Sequence, residues 1–457
     1  MKKIVLIALA VVFLLGDAVV FAQKNNDFRY DMAGFAFEIR KVNKLAAKPS
    51  YFKNPEHYYD FGVAYLNFYS RLNQPLEFDQ HSDEVRTDLY EQKSTAQVDI
   101  NGIKLTMNEF EYDVENHHSL KLYYTPEDKL TFWEMDSEYP NCLDTAAWAF
   151  MMANTIGIRD GDIAKKAASF LDRTRSYLEI NAYAFNKVKK YAEAYRSMRK
   201  AIRVMTVSGA DSSYIASQLF NSGYFAYQAG LYEESEKTLL EAIDYKFKEP
   251  EQNRGGIYTL LADCRRRLDD RDGAFKYSLA AVEAYPDLID MMYEVINHYV
   301  QAGDEANSLK YINMALNLEP ENTAVLLLKA SVIEEAGRTD EALKEYQNVI
   351  RIDPSNYKAW NHVAVIKYQA GKAAMNAARE IDDNKEYMAK LKEACRMLYE
   401  AVEPFEKCVE LQPDTPGNKE TLRSVYAAIR KELASEHPEL NKKFEALDAQ
   451  IKAAEGK

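Results

Sequence analysis

The side chains in this sequence that could do chemistry do not form a known active-site motif. His117 and His118 are the most suggestive pair for a metal ion, but neighbouring residues on a strand point to opposite faces. His57, His298 and His362 stand alone in the sequence. No HExxH, GxSxG or CxxC pattern occurs, and no glycine-rich phosphate loop is present. We therefore interpret His117 and His118 as polar loop residues and expect no catalytic residues, no cofactor and no metal site.

Paired carboxylates are the remaining candidates for acid–base chemistry. Glu233 and Glu234, and Glu334 and Glu335, are adjacent acids of the kind that general acid and base catalysis uses. Both pairs fall where a solvated helix face is expected, so we interpret them as surface charge. An enzyme whose site is assembled only by tertiary structure is an alternative that no motif supports.

The four cysteines are predicted to be buried free thiols. Cys395 and Cys408 are predicted to lie on one helix, about 20 Å apart at 1.5 Å per residue, which is too far for a disulfide. Cys264 and Cys408 fall at small-residue positions of the repeats described below. Cys142–Cys264 is the pairing that the sequence leaves open.

The amino terminus has the layout of a secretory signal peptide. Lys2 and Lys3 precede an apolar run over 4–15, and small residues lead to Ala22. We expect cleavage after Ala22, the alternative being an uncleaved anchor over 4–22, which Asp17 interrupts. No cysteine follows the run to carry a lipid, and no later stretch of the chain is apolar for 18 residues. The mature protein is thus expected to be exported, without a transmembrane segment.

Composition predicts a helical protein that does not bind nucleic acid. The chain has 457 residues, a net charge of −13, and only 13 prolines and 17 glycines. Few turn-forming residues predict long helices. Phosphate-backbone binding needs a basic stripe, and none is visible in the sequence.

Three stretches that end in proline repeat with a period of 34 residues. Pro286, Pro320 and Pro354 each follow a segment with a small residue 12 positions earlier, and Gly303 and Gly337 precede two of these segments. Glycine allows the chain to leave one helix, and proline prevents the next helix from continuing. A period of this length predicts stacked helical hairpins, because a single hairpin cannot bury its apolar face.

The pattern resembles the tetratricopeptide repeat family. Trp360 begins AWNHVAVIKYQAG, and LFNSGYFAYQAGLYEESEKTLLEAI (219–243) carries small and aromatic residues at family positions. A looser repeat lies at 189–202. The resemblance implies a mainly α fold, a right-handed α-solenoid of helical hairpins, over 140–433. Its best repeats are 219–252, 258–286, 287–320, 321–354 and 355–413.

The last repeat and the carboxyl terminus depart from the pattern. About 25 extra residues separate Gly371 from the closing VELQPD. They predict a hairpin with both helices lengthened, turning near IDDNKEY (381–387). Helices over 417–433 and 437–454 are predicted to cap the stack, the final capping helix occupying 434–457.

The region 23–139 is a separate, aromatic-rich segment. Phe, Tyr and Trp make up nearly a fifth of residues 28–139. FRYDMAGFAFEIRKVNKL and PEHYYDFGVAYLNFYSRL have helical spacing. Asn101-Gly102 predicts a β-hairpin, and a second turn is predicted at Pro126–Lys129. We expect a small β insertion, a candidate flap or lid, with helices resuming at Cys142.

The resemblance also implies a binding groove lined by the first helix of each hairpin. The family's groove positions fall here on the following residues: Phe220, Tyr224, Tyr227, Thr259, Asp263, Arg266, Asp290, Tyr293, Asn297, Leu327, Ser331, Glu334, Lys358, Asn361, Val365 and Tyr368. Tyrosine suits peptide recognition because it offers rigid area and one polar tip. The alternative for each tyrosine is packing between hairpins. The Lys and Asn clamp that some family members use for a C-terminal carboxylate is incomplete, so a cytosolic chaperone adaptor is not expected.

Two functions from different classes remain open. The first is a non-enzymatic scaffold or assembly factor in the cell envelope of a Gram-negative bacterium, periplasmic or associated with the outer membrane, which binds a protein or peptide. The second is a carbohydrate-binding protein that stacks sugars on Tyr123, Tyr124 and Trp133.

Overall fold

The structure, a computed structural model, describes residues 32–72, 76–85, 91–113, 118–136, 139–157, 161–250 and 254–455. The predicted signal peptide and His117 lie outside these residues. The chain divides into two compact units, Met1–Tyr277 (unit 1) and Ser278–Lys457 (unit 2). In the described part of the chain, no helix is both long and apolar enough to cross a membrane.

Unit 1 is built mainly from paired helices. Its helices are α1 (Met32–Ala46), α2 (Pro55–Leu72), α3 (Cys142–Ile156), α4 (Gly161–Lys187), α5 (Tyr191–Ser208), α6 (Ser212–Gln228), α7 (Tyr232–Asp244), α8 (Gly256–Arg267) and α9 (Arg271–Ala284), which crosses the boundary. The pairs α2–α3, α4–α5 and α6–α7 pack along their length. Small side chains allow this close packing: Ala194, Ala201 and Ala242 are fully buried. A Cβ on Gly223 would lie 2.7 Å from the Leu239 side chain.

A four-stranded antiparallel sheet is inserted between α2 and α3. Its strands are β1 (Glu91–Ile100), β2 (Ile103–Asp113), β3 (His118–Tyr124) and β4 (Leu130–Asp136), in the order β1-β2-β3-β4. Both predicted hairpins are confirmed. The sequence did not indicate that β2 pairs with β3 and joins them into one sheet. One face packs on Ala184 of α4 and on Val188, which follows the end of that helix. The Asn101 Nδ2 atom donates to the Val188 carbonyl at 3.0 Å.

Replacing Gly102 by alanine should lower the free energy of unfolding by about 1 kcal/mol. Gly102 has φ +78°, where an L side chain is strained, although a Cβ there would meet no atom within 4 Å. Thermal unfolding followed by circular dichroism measures the loss. Gly161→Ala is the matched control, because a Cβ there also meets no atom within 4 Å and its φ lies outside the left-handed region. Equal stability of the two variants would contradict the assignment of strain to the turn.

Unit 2 continues the hairpins with the closing signals that the sequence predicts. Its helices are α10 (Ile289–Gln301), α11 (Glu305–Leu318), α12 (Thr323–Glu335), α13 (Thr339–Ile352), α14 (Tyr357–Arg379), α15 (Asn384–Tyr399), α16 (Val402–Leu411), α17 (Asn418–Ile429) and α18 (Glu439–Glu455). Asn322 and Asn356, which follow the prolines, cap the next helices. The Asn322 Oδ1 atom accepts the Ala324 and Val325 backbone N–H groups, and the Asn356 Oδ1 atom accepts that of Ala359.

The lengthened hairpin is formed by α14 and α15, which turn at 380–383 as predicted. Gly371 allows the two helices to approach closely, since a Cβ on it would lie 2.6 Å from the Leu398 Cα atom. The second arm is broken, because α15 ends at Tyr399 and α16 begins at Val402. Pro404 explains the break, as it has no N–H to bond the carbonyl of Glu400.

This break corrects the prediction that Cys395 and Cys408 share one helix. They lie on α15 and α16 respectively. The wider prediction for the cysteines is confirmed, because Cys142, Cys264, Cys395 and Cys408 are all buried free thiols. Burial raises the pKa of the Cys408 thiol to about 11, as expected for an unreactive core residue.

Candidate functional site

Hydrogen bonds connect the first helices of successive hairpins in unit 1. They run from α4 to α6 and from α6 to α8, through side chains that are buried or half-buried. We call this set the first-helix ladder; its members are Arg175, Glu179, Tyr183, Tyr214, Gln218, Asn221, Tyr227 and Asp263. Neighbouring members are three or four residues apart on α4 and from Tyr214 to Asn221 on α6, so they share one side of each helix. Tyr227 lies six residues after Asn221 and points to another side of α6.

Glu179 is the buried charge of the ladder. Its side chain is only 9% exposed; one oxygen accepts the Tyr214 hydroxyl at 2.6 Å and the other accepts an Arg175 guanidinium N–H. Arg175 also bonds the exposed carboxylate of Asp172 at 2.7 Å. Burial raises the pKa of Glu179 above its ordinary value, and the contacts with Tyr214 and Arg175 offset only part of that effect. The carboxylate therefore depends on Arg175 to stay ionised.

A neutral polar cluster continues the contact between α4 and α6. The Tyr183 hydroxyl donates to the Gln218 Oε1 atom at 2.9 Å and accepts from the Asn221 Nδ2 atom at 3.1 Å. Burial raises the pKa of Tyr183 to about 12, so it remains a neutral donor. The cluster fixes the rotamers of three side chains on one face.

Three predicted groove residues meet between α6 and α8. The Tyr227 hydroxyl donates to the Asp263 Oδ2 atom at 2.6 Å, and an Arg266 nitrogen lies 2.7 Å from Asp263 Oδ1. Burial alone would raise the pKa of Asp263, but Tyr227 and Arg266 outweigh it and hold this pKa below its usual value. The carboxylate is thus ionised and held in one orientation, with half-exposed aromatic area beside it.

Two further predicted groove residues of unit 1 have packing contacts. Phe220 stacks on Phe247 with ring centroids 4.7 Å apart. Tyr224 packs against the buried core of the unit. Both side chains thus have packing contacts within unit 1.

In unit 2, Tyr293 of α10 is tied to the start of α12. Its hydroxyl donates to a Glu319 carboxylate oxygen at 2.7 Å and accepts from the Asn322 Nδ2 atom at 3.0 Å. Asn322 also caps α12. The contact therefore joins one hairpin to the next, as Tyr227 and Asp263 do in unit 1.

His362 is isolated in the sequence but not in space, which corrects the reading of it as a lone histidine. Its Nδ1 atom lies 3.0 Å from a Glu334 oxygen that also accepts the Tyr346 hydroxyl at 2.7 Å. The His362 and Tyr346 rings stack with centroids 4.6 Å apart. Glu334 lies on α12 and His362 on α14, so this is another contact between first helices.

The remaining predicted groove residues of unit 2 differ in exposure. Asn297 and Lys358 are exposed, and Asn361 is half-buried. Tyr368 packs edge-on against Phe405, with centroids 6.1 Å apart. The predicted residues thus fall into a set in each unit. In unit 1, Tyr227 and Arg266 both contact Asp263.

The aromatics proposed to stack on sugars are buried in the sheet. Tyr124 is 1% exposed, Tyr123 6% and Trp133 9%. Leu122 lies opposite Trp133, and residues 76–85 cover this face through Val85 and Phe78. None of the three rings offers a free face to a sugar, so the carbohydrate alternative loses the residues on which it rested.

In the described part of the chain, no group of three or more His, Cys, Asp or Glu side chains is arranged to hold a metal ion.

Sequence reasoning missed the α4 half of the ladder. Arg175, Glu179 and Tyr183 precede the first clear repeat, and their partners on α6 lie 35 to 39 residues away. The available signal was their spacing of four along α4, which places a cation, an anion and an aromatic on one side.

No family model matches the chain. A curated relative, "TPR repeat-containing thioredoxin TTL4" from Arabidopsis thaliana, is 33% identical over 85 residues, which is 19% of this chain and 12% of that protein. The chain contains tetratricopeptide repeats.

Solved structures with similar hairpins include two bacterial proteins. MamA from Desulfovibrio magneticus RS-1 is 15% identical, with a TM-score of 0.29, over 43% of this chain and 97% of that one. A putative protein binding protein from Bacteroides ovatus ATCC 8483 is 12% identical, with a TM-score of 0.31, over 39% and 99%. Neither likeness bears on what the tetratricopeptide repeats of this chain bind.

Proposed function

We propose that the chain is a non-enzymatic scaffold or assembly factor of the bacterial cell envelope, which binds a protein or peptide along the first helices of its tetratricopeptide repeats. The observation that carries the proposal is the contact of Tyr227, Asp263 and Arg266 on adjacent first helices. Such a surface holds aromatic area and charge in fixed positions, which lowers the entropic penalty of binding.

The chemistry of this surface favours a peptide with basic or amide groups. Asp263 is ionised and oriented, so it can accept hydrogen bonds from a partner's N–H groups. Arg266 is exposed and extends the surface with a guanidinium plane. The tyrosine hydroxyls are neutral and already bonded, so the partner would meet mainly their rings.

The amino-terminal sequence supports the envelope part of the proposal, because it predicts export. Lys2 and Lys3, the apolar run and Ala22 form the pattern of a signal peptide. Periplasmic or outer-membrane-associated partners follow from that pattern.

In-cell photo-crosslinking tests the proposal. With a photoreactive amino acid at Arg266, we expect a small, reproducible set of envelope proteins to crosslink. The matched control places the same amino acid at Lys237, an exposed position on the second helix α7. Identical products from both positions, or no product from Arg266 across growth conditions, would refute binding at the first helices. Products confined to cytosolic proteins would refute the envelope assignment alone.

A further inference from the structure

Unit 1 has a second candidate surface, on the second helices of its repeats. A surface cavity of 510 Å³ lies among residues of α5, α6 and α7. Ile202 and Leu219, which line it, are 6% and 1% exposed and give it an apolar floor. This volume lies within the range of ligand-binding pockets, roughly 300–1,000 Å³.

The rim of this cavity is cationic in an acidic protein. Helix α5 carries Arg196, Arg199, Lys200 and Arg203 at helical spacing, against the single acid Glu193, whereas the whole chain has a net charge of −13. Of the four cations, Arg199, Lys200 and Arg203 line the cavity. The charge is local, which explains why the composition did not reveal it.

Of the three cations that line the cavity, two form ion pairs within unit 1 and one does not. Arg199 pairs with Glu241 at 2.6 Å, and Lys200 pairs with Asp144 at 2.5 Å. Arg203 is exposed and has no hydrogen-bond or ion-pair partner among the residues that the structure describes. Its planar guanidinium can donate two parallel N–H hydrogen bonds to one carboxylate.

An exposed apolar residue lies beside this cation. Val207, one helical turn after Arg203, also lines the cavity and is 37% exposed. The site therefore combines an apolar floor, an apolar edge and one unpaired cation. A carboxylate next to a bulky apolar side chain matches this combination.

We propose that the cavity binds an acidic segment of a partner protein, with a bulky apolar side chain over Ile202 and Leu219 and a carboxylate on Arg203. This surface lies on the second helices and differs from the first-helix ladder. Charge complementarity selects the occupant, because the chain's own surface is predominantly acidic and the cavity rim is not.

Fluorescence anisotropy with the full chain tests the proposal. The probe is a labelled peptide in which a phenylalanine is flanked by glutamates; we expect saturable binding. Arg203→Glu should weaken binding about tenfold or more, since it replaces an attraction by a repulsion. Val207→Asp should have a similar effect through the apolar edge. Arg196→Glu is the matched control, because it makes the same charge change on the same helix outside the cavity; it should change binding by less than about twofold.

Each of the following outcomes would overturn the proposal. Without saturable binding there is no site for an acidic peptide, and equal weakening by Arg196→Glu and Arg203→Glu would show only a general attraction to α5. A peptide with serine in place of phenylalanine that binds as tightly, or full displacement by inorganic phosphate, would reduce the cavity to an anion site. Concentration-dependent dimerisation that Arg203→Glu abolishes, without peptide binding, would assign the face to a second copy of the chain. All three variants change exposed residues, and an unaltered circular dichroism spectrum verifies their folding.

Discussion

Replacing Arg175 by methionine should lower the free energy of unfolding by about 3 kcal/mol near neutral pH. Methionine keeps most of the aliphatic volume but leaves the buried Glu179 carboxylate without its counter-charge. The Tyr214 hydroxyl, at 2.6 Å, is then the main group that stabilises the charge. Denaturant unfolding monitored by circular dichroism measures the loss. Arg173→Met is the control, because Arg173 is exposed and its guanidinium carbon lies over the Tyr177 ring, 5.9 Å from the ring centroid. This variant should change stability by less than about 0.5 kcal/mol.

The pH dependence of this loss separates the lost charge from lost packing. The folded pKa of Glu179 is raised above its ordinary value of 4.5. Glu179 thus binds its proton more tightly in the folded state than in the unfolded state. Its contribution to stability is therefore present below pH 4.5 and is lost as the pH rises through the folded pKa. Arg175→Met raises that pKa further. The stability difference between variant and parent should therefore be small in acid and grow toward neutral pH. A difference that is constant with pH would show that Arg175 acts only through packing.

Replacing Gly371 by alanine should destabilise unit 2 by about 2 kcal/mol. The added Cβ would lie 2.6 Å from the Leu398 Cα and 2.7 Å from its backbone nitrogen. Backbone atoms cannot rotate away, so α14 and α15 must separate, and this outweighs the better helix propensity of alanine. For a unit of this size the expected fall in melting temperature is about 4–8 °C.

Hydrogen exchange locates the effect of Gly371→Ala. Amides of α14 and α15 should exchange faster in the variant, while those of α4 and α5 in unit 1 keep their parental rates. Gly161→Ala, where a Cβ meets no atom, should leave both regions unchanged. An undisturbed melting temperature for Gly371→Ala would mean that the two helices are not packed as closely as described.

Local signals in the sequence predicted the hairpins well. Pro320 and Pro354 end helices, and Asn322 and Asn356 cap the next ones, because these effects act within one helical turn. The Asn101-Gly102 turn is equally local. Features that depend on distant pairing were missed. The β2–β3 pairing and the Glu179–Tyr214 contact require knowing which faces meet, and the break before Pro404 was hidden by strong helix formers on both sides.

The candidate site was predictable only in part, for a related reason. The family resemblance assigned Tyr227, Asp263 and Arg266 to one groove, and Asp263 contacts the other two. It could not separate them from Phe220, which stacks on Phe247, because both roles favour an aromatic residue at the same spacing. The cationic cavity on α5 escaped notice because four charges hardly change the composition of a 457-residue chain.

Hydrogen bonds between first helices restrict where this chain can change length during evolution. An inserted residue between Tyr183 and Gln218, or between Glu334 and His362, would rotate one partner away from the other. The turn at 380–383 carries no such restriction, because the bonds of its described residues reach only their near neighbours. Relatives of this protein should therefore differ in length at the tip of the α14–α15 hairpin while the spacing between bonded hairpins stays constant.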